Sequence, residues 1–557
     1  MIIHVLAVDY DGTIAAHGRL GPETARALAR VRDSGRKLVL VTGRLLPDLR
    51  RVCPDVDVTF DAIVAENGAV VHFPGRRDTR RLGDAPEPVL VAALERQGVR
   101  FELGASIIAT DEAFAERALT AIREAGVERT LVFNKGALML LPGGVAKGTG
   151  LMAALAVMEL SHHNVLAIGD AENDHAFLSL AECAVAVADA IPALRERADH
   201  VTRAGNGAGV VEVIEEHLLN DLAGLLPRVP RHRITLGHAA DGTPVTLPAH
   251  HASVLIVGPS ESGKSTLTGL LVERIVRARR SLCLLDPEGD HQSLAELEGA
   301  VVLGGKTERA LPMPTEVEQL LRRPDGCLVL NLSALSTADK VTYAAKVLAV
   351  VAAVRAATGL PHWLVVDEAH HVAPAEGSSA AELLAATTDS VALITMSPEL
   401  IAADVRRTVR TLLSTDPVAG TAPPLERGEA ILVSQADPAA RAVRFRVAPR
   451  EVEHRRHIRK YTEGELPPDR SFYFRGPDDR LNLRAANLVR FSELADGVDE
   501  ETWSHHLGRG DYSRWLRTMI KDPELAAEVE RLEEDRTIAP VESRRLVLDA
   551  IRARYAV

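Results

Sequence analysis

The sequence predicts an α/β fold: a Rossmann-like core with an inserted α/β cap, then a second α/β domain built on a phosphate-binding loop, then a small, mainly helical tail. Three observations predict it. Short Val/Ile/Leu runs alternate with helical patterns over residues 1–220 and again over 251–448. Several of these runs end in Asp, Thr or a glycine-rich loop, where parallel sheets carry their active groups. Aromatic residues are scarce, at 3%, and many of them gather near the carboxyl end.

The bulk numbers bound the answer. At roughly 150 residues per domain, 557 residues make three to four domains. A chain that is 46% hydrophobic but so poor in aromatics builds its cores from Ala, Val and Leu, which suits parallel sheets covered by helices. The formal net charge of −12 excludes the global basic excess of an obligate nucleic-acid binder. Cys53, Cys183, Cys283 and Cys327 sit in apolar runs without CxxC spacing and read as reduced core residues of a cytoplasmic protein. The first residues have no basic flank, and Asp9 and Asp11 break their apolar run, so no signal peptide is expected. The longest apolar run, Val347 to Val354, ends at Arg355 and is too short to span a bilayer, so no membrane partner is expected.

In the first domain, residues 1–220, the strand IIHVLAVDY ends at Asp9, KLVLVTGR at Thr42, and NVLAIGDAEND near Asp170. DYDGT, Asp9 to Thr13, holds two carboxylates two residues apart. One can attack phosphorus and form an aspartyl-phosphate. The other can protonate the leaving oxygen and later activate water. Gly12 lets the chain turn and Thr13 can lock the turn. A phosphate facing a carboxylate is repelled unless cations intervene, so Mg²⁺ is expected, with Asp170 and Asp174 supplying further ligands. Lys147 adds a positive charge, and the Thr42 hydroxyl can donate to a phosphate oxygen.

These pieces, in this order, resemble the haloacid dehalogenase superfamily of phosphatases over residues 1 to about 218. AENGAVV, residues 65–71, looks like the substrate-side element of the type IIB (Cof-like) branch, in which a mobile α/β cap fills the slot that here runs from about 75 to 142. The resemblance implies Asp9 as nucleophile, Asp11 as acid/base, and Thr42 and Lys147 on the phosphate. It also implies that Asp9, the Asp11 carbonyl and Asp170 hold Mg²⁺ with Asp174 behind them, and that the substrate is a small sugar-phosphate-like monoester.

Residues 221–250 read as a joint and a hairpin turning at Asp241-Gly242. In the second domain, residues 251–448, GPSESGKS (Gly258 to Ser265) fits GxxxxGK[ST] between an apolar strand and a helix. Gly258, Ser262, Gly263, Lys264, Ser265 and Thr266 are the candidate ATP contacts, with Lys264 on the β and γ phosphates and Ser265 on Mg²⁺. HWLVVDEAHH places Asp367 in the Mg²⁺ shell and Glu368 as the residue that polarises water, which favours hydrolysis over phosphate transfer. LLDPEGDH (284–291) and RGEAILVSQ (427–435) complete a resemblance to HerA/FtsK-class ATPases over about 233–448. Thr395 and Ser397 stand where that class often has Gln, and Arg406, Arg407 and Arg410 are arginine-finger candidates on a surface helix. The resemblance implies homo-oligomeric rings and often DNA translocation; nucleic acid stays open as a partner, but the acidic total does not support it.

The tail, 449–557, reads as an accessory module whose core is Trp503, Tyr512 and Trp515. His505 and His506 have no metal-ligand spacing, and HRRHIRKY (454–461) reads as a solvated basic face. The whole is expected to be a Mg²⁺-dependent phosphomonoesterase fused to an ATPase. The alternatives are a nucleic-acid motor with an end-trimming phosphatase, a kinase–phosphatase pair, and an ATP-switched scaffold.

Overall fold

The computed structural model describes residues 1–259, 262–305, 310–387, 389–416, 425–426, 428–435, 442–450, 466, 468, 471–520, 522–535 and 537–555. The chain divides into two compact units, Met1–Ala448 and Pro449–Val557.

The first unit holds two large sheets. One has eight strands in the order His200–Val201, Cys183–Ala186, Val165–Gly169, Val5–Val8, Lys37–Val41, Ala62–Ala65, Val70–Phe73 and Asp78–Arg81. The first six run parallel and the last two fold back as antiparallel hairpins. Apart from Lys37, the central strands are apolar at every position, as suits a sheet covered on both faces, and their side chains form one continuous core that extends to Leu226.

The cap is a separate antiparallel sheet, ordered Arg129–Asn134, Ala137–Pro142, Ile108–Asp111, Phe101–Leu103. Helices Pro88–Arg96 and Ala115–Ala125 close a small core of its own. The expected start of the cap near residue 75 is corrected: Asp78–Arg81 pairs with Val70–Phe73 inside the main sheet, so the insertion begins beyond Arg81.

The second sheet has eleven strands, and its middle is parallel. From Thr411–Ser414 the order runs through Ser253–Val257, Val391–Thr395, Trp363–Val366, Leu282–Asp286, Cys327–Asn331 and Ala300–Gly304. Four antiparallel strands extend the other edge, and they include Ile234–Ala239 and Pro244–Leu247. The hairpin placed between domains by the sequence is therefore the border of this sheet. Its turn does fall at Asp241-Gly242, where Gly242 has φ +83°.

The run at Val347–Val354 lies between Lys346 and Arg355 inside the helix Thr337–Thr358. By length and composition alone the whole helix is apolar enough to cross a membrane, a test that the core helix of a globular domain also passes. Val347, Leu348, Val351 and Val354 pack into the core on one face of the sheet.

The second unit packs Trp503, Tyr512 and Trp515 with Phe472, Phe474 and Phe491 in one aromatic core. Its hairpin, Phe472–Phe474 with Leu483–Ala485, precedes six helical segments among the described residues between Leu488 and Tyr555. HRRHIRKY lies outside the described residues.

Candidate active site

Strand Val5–Val8 delivers Asp9, Val165–Gly169 delivers Asp170, and Lys37–Val41 delivers Thr42, all at carboxyl ends of neighbouring parallel strands. Lys147 opens the helix Lys147–Met158. Its ammonium is 1% exposed and donates to Asp9 Oδ1 at 2.6 Å and Asp174 Oδ1 at 2.5 Å. Asp174 Oδ2 accepts from the amides of Asp170 and Ala171 at 2.8 and 2.9 Å. With both oxygens engaged, Asp174 positions Lys147 and the Asp170 backbone. Thr13 donates to Asp170 Oδ1 at 2.9 Å, which is the lock the turn required. Thr42 is buried, and its hydroxyl accepts the Arg44 amide at 3.2 Å, which leaves its proton to donate.

Asp9, Asp170 and Asp174 are all buried and offer oxygens within 4.8 Å of one another. Burial pushes the Asp9 carboxyl well above the usual carboxylate range, and the charges of Asp174 and Asp170 add to this against the pull of Lys147. Burial likewise raises Asp170. Crowded buried carboxylates that resist ionisation are the donor set a hard dication relieves, so the residues fit Mg²⁺.

Three features were not visible in the sequence. Arg44 grips Asp11 through both carboxylate oxygens, at 2.6 and 2.8 Å, and also holds Asp48 at 2.6 Å. Acid–base work by Asp11 therefore requires this pair to open. Lys135 sits at the tip of the cap hairpin and places its ammonium on Asp170 Oδ2. Its position between Asn134 and Gly136, both turn formers, was the only hint. AENGAVV, expected on the substrate side, couples core to cap: Glu66 accepts the Ala105 and Ser106 amides at 3.0 Å each, and Asn67 bonds Met139 and Asn173.

In the second sheet, Ser253–Val257 leads through the glycine-rich loop into the helix Lys264–Arg277, which carries Lys264, Ser265 and Thr266 in its first turn. Gly263 has φ +104°, a conformation that suits glycine. Ser260 and Glu261 of this loop lie outside the described residues. Ser262 Oγ meets Thr415 Oγ1 at 2.5 Å, and Lys264 is folded back onto the Pro259 carbonyl at 3.0 Å. Asp367 and Glu368 follow Trp363–Val366, two strands away in the same sheet.

Asp367 Oδ2 is 2.8 Å from His291 Nε2, a partner that lay unremarked at the end of LLDPEGDH. Glu368 has φ +36°, and burial together with the Asp367 charge lifts its carboxyl to about 6. Of the finger candidates, Arg406 and Arg407 end the helix Ala403–Arg407, but Arg410 lies beyond it, which corrects their placement on one helix. Thr395 Oγ1 lies 3.3 Å from His370 Nδ1. The structure thus gathers Asp9, Thr42, Lys147, Asp170 and Asp174 at one sheet and the loop residues with Asp367 and Glu368 at another.

The first arrangement defines a class: a Rossmann-like hydrolase core with an inserted cap, which gathers buried carboxylates that could hold a cation and a buried lysine at its strand ends. Residues 6–82 and 100–214 match the family model for haloacid dehalogenase-like hydrolases. A phosphoglycolate phosphatase of Methanothermobacter thermautotrophicus is 35% identical over 225 residues, which are 39% of this chain and 99% of the relative. Phosphoglycolate phosphatase 2 of Saccharolobus solfataricus is 30% identical over 221 residues, 38% of this chain and 92% of the relative. A solved haloacid dehalogenase-like hydrolase from Bacteroides thetaiotaomicron is 19% identical with a TM-score of 0.34, covering 38% of this chain and 98% of that one. The chain belongs to the haloacid dehalogenase-like hydrolase family.

Proposed function

We propose that residues 1–220 hydrolyse a small phosphomonoester through an aspartyl-phosphate on Asp9, and that the second domain binds and hydrolyses ATP. The observation that carries the first part is the buried Asp9–Lys147–Asp174 chain beside Asp170. An Asp9 oxygen attacks phosphorus, the bond from phosphorus to the substrate oxygen breaks, and Asp11, freed from Arg44, protonates the departing oxygen. Asp11 then takes a proton from water, whose oxygen attacks phosphorus and restores Asp9. Lys147 and the Thr42 hydroxyl hold the phosphoryl oxygens. Mg²⁺, held by Asp9, the Asp11 carbonyl and Asp170, would neutralise phosphate charge.

The named relatives act on phosphoglycolate. We extend this to a carboxylate-bearing monoester here, with Lys135 of the cap as the cation that meets the carboxylate once Asp170 is engaged by metal. For the second domain, the support is the loop and first helical turn carrying Gly258, Ser262, Gly263, Lys264, Ser265 and Thr266, with Asp367 and Glu368 at a nearby strand end. Ser265 and Asp367 would hold its Mg²⁺.

Mg²⁺-dependent phosphate release from ATP and from a panel of phosphomonoesters tests both parts in the wild type, Asp9→Asn and Lys264→Ala. Loss of monoester release alone in the first variant and of ATP turnover alone in the second is expected. Monoester release that survives Asp9→Asn removes the nucleophile and the reading with it.

A further inference from the structure

At the amino ends of the two parallel sheets, opposite both catalytic ends, lies a buried cluster that neither activity uses. Glu182 precedes the strand Cys183–Ala186, is 1% exposed, and accepts Arg280 Nη2 on both oxygens at 2.8 Å. Arg280 follows the helix Lys264–Arg277, so the pair joins the two halves of the unit. Around Glu182 stand His163 Nδ1 at 2.8 Å from Oε2, His232 Nε2 at 3.8 Å from Oε2, and His250 Nε2 at 2.9 Å from Oε1.

A carboxylate only accepts hydrogen bonds, so each ring nitrogen facing it needs its own hydrogen. The hydrogens fall short. His163 faces two acceptors, Glu182 Oε2 from Nδ1 and the Ala278 carbonyl from Nε2, each at 2.8 Å, and a neutral ring has one hydrogen for the two, so the tautomer that donates to Ala278 presents no hydrogen to Glu182. His250 Nε2 is 3.0 Å from Arg280 Nη1, an obligate donor, so it too presents no hydrogen to Glu182. His232 Nε2 is buried and makes no hydrogen bond. Bare lone pairs facing a buried carboxylate are costly unless a cation stands between them.

We infer that a transition-metal dication of the Zn²⁺ class binds between His163 Nδ1, Glu182 Oε2 and His232 Nε2. These atoms lie within 4.8 Å of one another. A tetrahedral zinc with bonds of about 2.0–2.2 Å spaces its ligands roughly 3.3 Å apart, so small side-chain rotations suffice. The surroundings are those of a built site. The His163 bond to a backbone carbonyl is the usual support for a metal-bound imidazole. His232 is set in place by its neighbour Arg231, which bonds Asp199 Oδ2 and the Ala181 carbonyl, each at 2.7 Å.

The Arg280 charge opposes any cation drawn to Glu182 alone. That favours Zn²⁺ or Co²⁺, bound mainly through imidazole nitrogen, over Mg²⁺ or Ca²⁺. The all-oxygen set of Asp9, Asp170 and Asp174 has the opposite preference. Since Ala278 and Arg280 belong to the second half, an ion here clamps the seam.

The test uses tag-free full-length protein, stripped with chelator, saturated with Mg²⁺ and titrated with Co²⁺. One equivalent giving visible d–d absorption of tetrahedral intensity is expected. His232→Gln, which removes no hydrogen bond, should weaken that band by about tenfold or more, while Asp170→Asn keeps it. Zn-edge absorption spectroscopy on the wild type, which needs no variant, should report two imidazole ligands. No Co²⁺ band, a band untouched by His232→Gln, or an oxygen-only zinc shell would overturn the proposal, and the cluster would then be a proton-bridged Arg–Glu–His staple.

Discussion

Beside each of the two sheets of the first unit, a helix opens on a buried lysine, and the two lysines are satisfied in opposite ways. Lys147 is held between the carboxylates of Asp9 and Asp174. Among the described residues, the hydrogen-bond partner of Lys264 is a carbonyl of its own loop, at Pro259. The first site carries its counter-charges in the chain and is assembled without a ligand. The second has a cation turned inward, as expected where the ligand brings the negative charge. A buried ammonium paired with carboxylates is part of a fixed scaffold; one resting on a neutral carbonyl costs more to bury and gains most from an anion.

The largest effects should come from cutting each site at its key group. Asp9→Asn removes the nucleophile and should lower monoester release roughly 10⁴-fold or more, with ATP turnover unchanged. Lys264→Ala should do the reverse. A difference in stability sharpens the contrast: Lys147→Ala leaves Asp9 and Asp174 unpaired and buried, an expected loss of about 3–5 kcal/mol, whereas Lys264→Ala should leave the melting temperature nearly unmoved. Equal destabilisation in a denaturant titration would break the comparison.

The next effect tests how core and cap hold the first site. Gly68 has φ +100°, and a Cβ there would fall 1.9 Å from the Ala146 carbonyl, directly before Lys147. Gly68→Ala should therefore displace Lys147, cost about 2–4 kcal/mol and lower kcat. A variant with wild-type kcat and midpoint would show that this contact yields freely.

What the sequence disclosed, and what it hid, follows from chain distance. Asp9, Thr42, Asp170 and the loop ending at Lys264 were legible because each closes an apolar strand, so local pattern and strand-end chemistry agree. Arg44 on Asp11 and Lys135 on Asp170 were not, since these pairs are 33 and 35 residues apart, the first set by the pairing of neighbouring strands and the second by how the cap lands. Glu182 and Arg280 are 98 residues apart on different sheets, and no periodicity announces such a meeting. The cap boundary was missed because Asp78–Arg81 is polar or exposed at every position, as suits an edge strand and equally a loop.

A smaller effect concerns Lys135, about half exposed at the cap tip. Lys135→Met should raise KM about tenfold for a carboxylate-bearing monoester such as 2-phosphoglycolate. It should change KM for an uncharged aryl phosphate far less and leave kcat near wild type. A uniform change across both substrates would make Lys135 a cap latch and remove its role in recognition.

The mildest test of internal satisfaction lies in the second unit. His506 Nδ1 is 2.8 Å from Asp511 Oδ2, and its Nε2 accepts the Arg475 amide at 3.0 Å, so the neutral ring is fully partnered. A second ring proton would face that amide hydrogen. Burial, with the charges of His505, Arg509 and Arg475, pushes His506 from 6.5 down to about 4. The unfolded chain then binds the extra proton first, so the stability this ring contributes is complete above pH 6.5 and is lost as pH falls toward 4. Trp503 and Trp515 lie in this unit's core, so Trp363→Phe in the full chain makes fluorescence report on it alone. Its melting midpoint should fall by several degrees over that interval, at about 4–8 °C per kcal/mol in a unit of this size, and His506→Gln should flatten the dependence. An unchanged slope in His506→Gln would mean that the acid sensitivity belongs to other groups, and that a fully partnered ring is no guide to where a buried histidine titrates.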